Sequence, residues 1–438
     1  MAQTTSGDPG AVGEKVTAPP KEAAGMQKFI ARQPILDCFE RVFGYELLFR
    51  AGNEGFARMT SPSHASAAVI SDSLFLYGLK ELTGGARAFI NCSRETLVGG
   101  HAAMLPRERV VLEVLETVTP DEEVMTACKA LKDAGYMLAL DDFEGIGQEA
   151  LVKLADIIKL DVLATSEFER RKIMRKYAAG KMKFLAEKVE KRDQFRSAVQ
   201  QGYTYFQGYF FCKPEVLSAR DIAPVKLVYF RLLQAVTKEE INVRDVAETI
   251  KHDLSLSYKL LRFLNSALFM FRTPITSIQQ ALLMLGENGL RKWVGLIALS
   301  TLAEGRPPIL VNTALVRAAF CEMVAPLLHA PKRASDFFFL GLLSNIDAIL
   351  SRPMRAVLEE LPISGEVRAA LMGEPNQLRD VLETVLTYER ADWAGFAKQA
   401  QKLSLPEDAF SDMYMKSLHW CSELGLDQEA APAETPAK

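Results

Sequence analysis

Between Phe29 and Pro214, short runs of β-branched and aromatic residues alternate with amphipathic stretches of helical period, the pattern of β/α units around a parallel sheet. The runs 29–36, 45–50, 88–92, 110–114, 137–143, 157–161, 183–189 and 205–209 read as eight strands, which predicts a closed α/β barrel of TIM type. One connector is especially clear. Thr119 stands as the N-cap, Pro120 at the first helical position and Glu122 as the capping-box partner. Val124, Ala127, Cys128 and Leu131 then form one apolar face, and Gly135 stops the helix. After Pro214 the period-two signal ends and helical periodicity runs to about Leu424, so the barrel spans 28–214 and an all-α domain 215–424. In that half Val243, Val246, Ala247 and Ile250 share a face, and Ser255 is the expected cap of a helix carrying Leu260, Leu261 and Leu264. Residues 1–27 and 425–438 lack the apolar content to offset ordering entropy and are expected to be disordered.

Composition narrows the class. With 52 Lys and Arg against 55 Asp and Glu, the net charge of -3 excludes a generic basic coat for nucleic acid. The six cysteines stand singly, without a C-x-x-C pair to seed a zinc ribbon or redox dithiol, and no stretch is apolar for long enough to span a bilayer. A cytoplasmic protein without membrane contact is the expectation.

In a β/α barrel the reacting groups sit at the C-terminal ends of the strands. There the sequence places Glu46, Asn91, Glu113, Asp141 with Asp142, Lys159 with Asp161, Glu187 and Gln207, each inside an apolar run where an unpaired polar group is costly. Any single one reads equally well as a salt-bridged barrel residue, but that reading weakens as oxygen donors recur on strand after strand. Hard cations such as Mg²⁺, Mn²⁺ or Ca²⁺ take carboxylate and amide oxygens, and a pair of them clamps a phosphodiester while generating hydroxide. Adjacent Asp141 and Asp142 suit a bridging role, and Lys159 suits the orientation of water or stabilisation of phosphate charge. Arg50, four residues after Glu46, shares its strand face and carries a fork that fits phosphate.

These residues resemble the EAL domains that bind or hydrolyse the bacterial messenger cyclic di-GMP. Glu46-Leu47-Leu48-Phe49-Arg50 looks like the E-[AVL]-L-x-R signature, and Gln33-Pro34-Ile35 like its Q-P-I. The likeness continues in order through Phe89-Ile90-Asn91, Leu112-Glu113-Val114, Leu140-Asp141-Asp142-Phe143, Ile158-Lys159-Leu160-Asp161, Ala186-Glu187 and Phe206-Gln207-Gly208. It implies that Glu46, Asn91, Glu113, Asp141, Asp142 and Glu187 hold two divalent ions, Mg²⁺ or Mn²⁺. It also implies that Lys159 assists the attacking water, that Glu46 and Glu187 are catalytic, and that Gln33, Arg50 and Gln207 contact the dinucleotide. Two departures stand out. The family's F-G-[AT]-G-Y-S loop, used in metal occupancy and dimer contact, is here Phe143-Glu144-Gly145-Ile146-Gly147-Gln148. The glycine after the last metal-ligand glutamate is Lys188.

The helical half resembles HDOD, the metal-free relative of HD-type phosphohydrolases, through Ile250-Lys251-His252-Asp253-Leu254, Leu264-Asn265-Ser266-Ala267, Gln280-Ala281 and Leu283-Met284-Leu285-Gly286. A catalytic HD domain needs a His-Asp pair after Phe339-Leu340-Gly341-Leu342-Leu343, where this chain has Ser344-Asn345, so that metal site cannot be built. His252-Asp253 is expected to be an ordinary helix junction, and His64, His101, His329 and His419 to be surface or core residues. Phe337, Phe338, Phe339, Leu282, Met284 and Trp293 are expected to be core. The resemblance implies an output module that contacts other signalling proteins, with a homodimer also open. Two readings follow for the barrel: a phosphodiesterase that opens cyclic di-GMP to linear pGpG, or a receptor or scaffold that keeps the fold without turnover.

Overall fold

A computed structural model describes residues 28–51, 78–178, 180–213, 224–238, 240–265 and 275–424. The expected boundary at 214/215, both terminal segments and His64 lie outside these residues. Eight strands close a barrel in sequence order: β1 (Lys28–Asp37), β2 (Val42–Ala51), β3 (Arg87–Cys92), β4 (Val110–Val114), β5 (Met137–Leu140), β6 (Ile157–Asp161), β7 (Lys183–Glu187) and β8 (Tyr205–Gln207). From β2 to β8 neighbours are parallel, but β1 runs antiparallel to both β2 and β8. The fully parallel expectation is corrected here, and the reason is local. Only Cys38–Arg41 separate β1 from β2, and a parallel pair needs a crossover of a dozen or more residues.

The barrel interior is built in two levels from the period-two alternation of each strand. The lower level is apolar: Ile35, Phe89, Val111, Ala139, Ile157, Leu185 and Tyr205 pack together inside the barrel. Two residues further along each strand the same face becomes polar, at Asn91, Glu113, Asp141, Lys159, Glu187 and Gln207. The intervening residues, among them Ile90, Leu112, Leu140, Ile158, Leu160, Ala186 and Phe206, are buried in the outer core beneath the helices. Strands β5 and β7 end earlier than their apolar runs because Asp142 and Lys188 take left-handed backbone, with φ of 41° and 56°. At the end of β8 Gly208 has φ 139°, and a Cβ there would meet the Val189 carbonyl oxygen at 2.1 Å, so only glycine fits.

The connecting helix read from sequence spans Glu122–Asp133 and buries Val124, Cys128 and Leu131. Its cap is Asp121, which accepts from Val124 N–H, rather than Thr119, since the carboxylate fits the β-region cap geometry.

From Pro224 to Glu423 the described residues are helical. Asp253 both ends the helix Val243–His252 and caps Leu254–Leu264 by accepting from Leu256 N–H, so Ser255 lies inside the helix it was expected to cap. Phe337, Phe338, Phe339 and Trp293 are core, whereas Met284 is 52% exposed, just before Gly286 breaks the helical backbone at φ 62°. His101, His252, His329 and His419 are exposed. Where an HD enzyme would hold its His-Asp pair, buried Asn345 donates from Nδ2 to the Leu310 carbonyl at 2.9 Å and Ser344 Oγ accepts from Arg317 at 3.2 Å.

The two halves pack directly on one another. Helices Gln377–Glu389 and Ala409–Glu423 lie against β1, and Phe29 meets the rings of Trp393 and Phe396 at centroid distances of 5.9 and 6.1 Å. Among the described residues no helix is long and apolar enough to cross a membrane.

Candidate functional site

At the barrel mouth the strand ends bring Glu46, Asn91, Glu113, Asp141, Lys159, Glu187 and Gln207 together. Lys159 Nζ is their centre: it lies 2.6 Å from Asp141, 2.7 Å from Glu113, 2.8 Å from Glu187 and 3.4 Å from Glu46. Glu46 is held in place from three sides, because Asn91 Nδ2 donates to one carboxylate oxygen at 3.1 Å and Gln207 Nε2 to the other at 2.6 Å. Gln207 Nε2 also donates to Gln33 Oε1 at 3.0 Å.

One ammonium cannot satisfy four carboxylates. Burial would lower the pKa of Lys159, but the surrounding Asp141, Glu113, Glu187 and Glu46 hold it well above its ordinary value. Burial pushes Glu113 and Glu187 well upward against the attraction of Lys159, and their carboxylate neighbours add to the rise. Asp141 is raised for the same reason. Glu46 alone is lowered: burial opposes its charge, but Lys159 and the amides of Gln207 and Asn91 outweigh that cost. The ring therefore holds an excess of negative charge that favours protons or a further cation.

The donor set has the right chemistry for that cation. Buried oxygens of Asn91 (Oδ1), Glu113 (Oε2), Asp142 (Oδ1) and Glu187 (Oε2) have no hydrogen-bond partner among the described residues. Orphaned hard oxygens of this kind are what a divalent ion takes. The carboxylates turn toward the ammonium, and among the described residues no three Asp, Glu, His or Cys side chains form a ready-made cage.

Arg50 is placed differently from the ring. Its guanidinium stands over Phe29, 5.6 Å from the ring centroid, and it is not among the residues that line the cleft above the acids. That cleft has a volume of about 640 Å³ and is lined by Gln33, Glu46, Asp141, Asp142, Glu187 and Lys188 with residues of the helical half. A smaller cavity of about 380 Å³, lined by Glu40, Arg192 and Arg306 among others, lies away from the acids.

Sequence reasoning placed Asp161 at a strand end beside Lys159 but gave it no role. Its Oδ1 accepts from the N–H groups of Leu163 and Ala164 at 2.7 and 2.9 Å, and its other oxygen is ion-paired to Lys188. Lys188 also lies 3.8 Å from Asp142. Departure from glycine therefore puts a tethered cation beside the acidic ring, on backbone strained for a side chain. In the altered loop, Gln148 is buried and donates to the carbonyls of Leu115 and Val118 at 2.7 and 3.3 Å, while Ile146 is 83% exposed.

Residues 93–214 match the EAL domain and residues 222–370 the HDOD domain. A Bacillus subtilis relative, the uncharacterized protein YuxH, is 36% identical over 91% of this chain and 99% of its own. A Vibrio cholerae relative, the cyclic di-GMP phosphodiesterase CdgJ, is 32% identical over 90% of this chain and 93% of its own. Among solved structures, the Klebsiella pneumoniae BlrP1 calcium and cyclic di-GMP complex is 25% identical with a TM-score of 0.35, covering 45% of this chain and 58% of that one. The Bacillus subtilis YkuI complex with cyclic di-GMP and calcium is 18% identical with a TM-score of 0.33, covering 51% and 72%. The chain thus spans less than two thirds of the BlrP1 structure.

Proposed function

The chain belongs to the bacterial signalling family that joins an EAL domain to an HDOD domain, and from that premise we propose that its barrel hydrolyses cyclic di-GMP to linear pGpG. The observation that carries the reading is the ring itself: acids and amides converge on one mouth, with buried oxygens left over on Asn91, Glu113, Asp142 and Glu187. Glu46, Asn91, Glu113, Asp141, Asp142 and Glu187 would hold divalent ions, Mg²⁺ or Mn²⁺, which supply Lewis acidity and hydroxide at neutral pH. Lys159, whose charged form the surrounding carboxylates favour, orients the attacking water and meets charge that develops on the phosphate. Glu46 and Glu187 are the catalytic carboxylates and hold the ring in its reactive arrangement around Lys159. Gln33 and Gln207, which line the cleft, position the dinucleotide, and Arg50 would have to leave the Phe29 ring to reach it. Water attacks one phosphorus, the bond to the 3′ oxygen breaks, and the products are a 5′-phosphate and a 3′-hydroxyl on one linear molecule.

The helical half, with Ser344-Asn345 where a catalytic HD domain has its His-Asp pair, passes the state of the barrel to other signalling proteins in the cytoplasm. A receptor without turnover is the second reading, and Lys188 favours it, because its ammonium occupies the side of the ring formed by Asp142 and Asp161. Incubation of the full chain with cyclic di-GMP and Mg²⁺ or Mn²⁺, followed by chromatography, separates the two. Appearance of pGpG supports the enzyme; binding without product supports the receptor.

A further inference from the structure

The cleft above the acids is walled on one side by the helical half. Arg390, Ala391 and Trp393, in the turn between helices Gln377–Glu389 and Trp393–Lys402, line it together with the barrel residues. Barrel side chains that face the ligand space hold this turn. Gln33 Nε2 donates to the Arg390 carbonyl at 3.1 Å, and Tyr209 O–H donates to the Glu389 carbonyl at 2.9 Å. Trp393 is wedged between Phe29 and Tyr388, at centroid distances of 5.9 and 5.4 Å. Ala391 sits at φ 54°, a left-handed conformation that is unfavourable for an alanine and persists only where the surroundings fix it.

The side chain that this turn delivers is exposed and cationic. The Arg390 guanidinium stands 5.6 Å over the Tyr209 ring, and its charge is felt by the neighbouring Glu389, whose carboxylate is taken by Arg317. The charge pattern of the cleft gives that cation a purpose. Its floor is acidic and suits metal-bound phosphate, but a cyclic dinucleotide carries two phosphates, and outside the ring the cleft offers three cations, Lys188, Lys213 and Arg390. Lys188 is committed to Asp161. A planar guanidinium, braced on an aromatic face, matches two phosphate oxygens at once.

We propose that Arg390 is a ligand-binding residue of the cleft, supplied by the helical half, which takes a phosphate of the dinucleotide that the metal-seeking ring does not. This rests on the cyclic di-GMP reading of the barrel. The helical half then belongs to the ligand site as well as reading its state. A hydrogen-bonded path already joins the two, from Glu46 through Gln207 and Gln33 to the Arg390 carbonyl.

The test is equilibrium binding of cyclic di-GMP to the full-length chain by calorimetry, with Ca²⁺ present, for wild type, Arg390→Ala and Arg390→Lys. Loss of a charged hydrogen-bonding group should weaken binding roughly 10- to 100-fold in Arg390→Ala, with Arg390→Lys between the two. The melting temperature without ligand should stay unchanged, as befits an exposed side chain. If Arg390→Ala melts early, Arg390→Gln, which keeps the stem over Tyr209, carries the same comparison. Binding by the arginine-free variant within twofold of wild type overturns the assignment while leaving the barrel reading intact. A wild-type chain that binds no cyclic di-GMP overturns both.

Discussion

Arg317 donates from Nε to Oε2 of Glu389 at 2.9 Å with both side chains almost wholly buried, and the residue after Glu389 is the one that faces the ligand cleft. Arg317 also donates to Ser344, at the place where a catalytic relative would carry its histidine and aspartate. A buried ion pair thus ties the vacated centre of the helical half to the turn that walls the barrel. Removing one partner leaves a buried charge uncompensated, so Arg317→Met should cost about 3–5 kcal/mol of stability in urea denaturation. The double change Arg317→Met with Glu389→Leu should recover most of it. A single variant as stable as wild type would show that the pair is not needed.

Glu46→Ala and Asp141→Ala should each abolish metal-dependent release of pGpG, since both side chains belong to the ring around Lys159. Lys159→Met should lose turnover, and Arg50→Ala should mainly weaken binding. Chromatography of timed reactions reads all four, and pGpG release by Asp141→Ala at the wild-type rate would remove Asp141 from the site.

The orphaned oxygens predict stabilisation by metal. Mg²⁺ or Mn²⁺ at saturating concentration should raise the melting temperature by several degrees, because an ion bound only by the folded chain adds about 2.7 kcal/mol at a hundredfold excess over its Kd. EDTA should reverse the shift. Glu113→Gln, which removes a fully buried donor, should shrink it. Identical melting curves with metal and with EDTA would count against a metal-holding ring.

Lys188→Gly relaxes a residue at φ 56° and removes the cation beside Asp142. Left-handed backbone costs a side-chain-bearing residue about 1–2 kcal/mol, while the pair between half-exposed Lys188 and nearly buried Asp161, which keeps two backbone N–H donors, contributes about 1 kcal/mol. The variant should therefore be at least as stable as wild type and turn over cyclic di-GMP faster. A clear drop in stability would show that the Asp161 pair is the stronger effect.

If ligand engages both walls of the cleft, cyclic di-GMP should slow hydrogen exchange in residues 386–396 as well as at the strand ends. A ligand biases two packed domains only by binding one arrangement better. Protection confined to the barrel at saturation would refute transmission through this turn.

Much of the barrel was legible because each strand writes its layering in period two. Phe89 before Asn91, Val111 before Glu113 and Leu185 before Glu187 each place an apolar plug beneath a polar ring. The direction of β1 is absent from that alternation, and only the brevity of Cys38–Arg41 reveals it. Caps were less legible, since Thr119 and Asp121 are both good capping residues and backbone geometry selects Asp121. Arg390 left no local signal at all. It lies 344 residues from Glu46 in sequence, and only packing of Phe29 against Trp393 and Phe396 brings its turn to the mouth.

The reversed first strand decides from which side the barrel can be approached. Because Lys28 pairs with Ala51, at the mouth end of β2, whatever precedes residue 28 joins the barrel on the ligand side. A histidine tag fused directly before Lys28, in a chain shortened to that residue, would bring chelating imidazoles to the rim of a ring that itself seeks metal. A module appended there would be anchored beside the cleft, opposite the end at which a fully parallel barrel receives its chain.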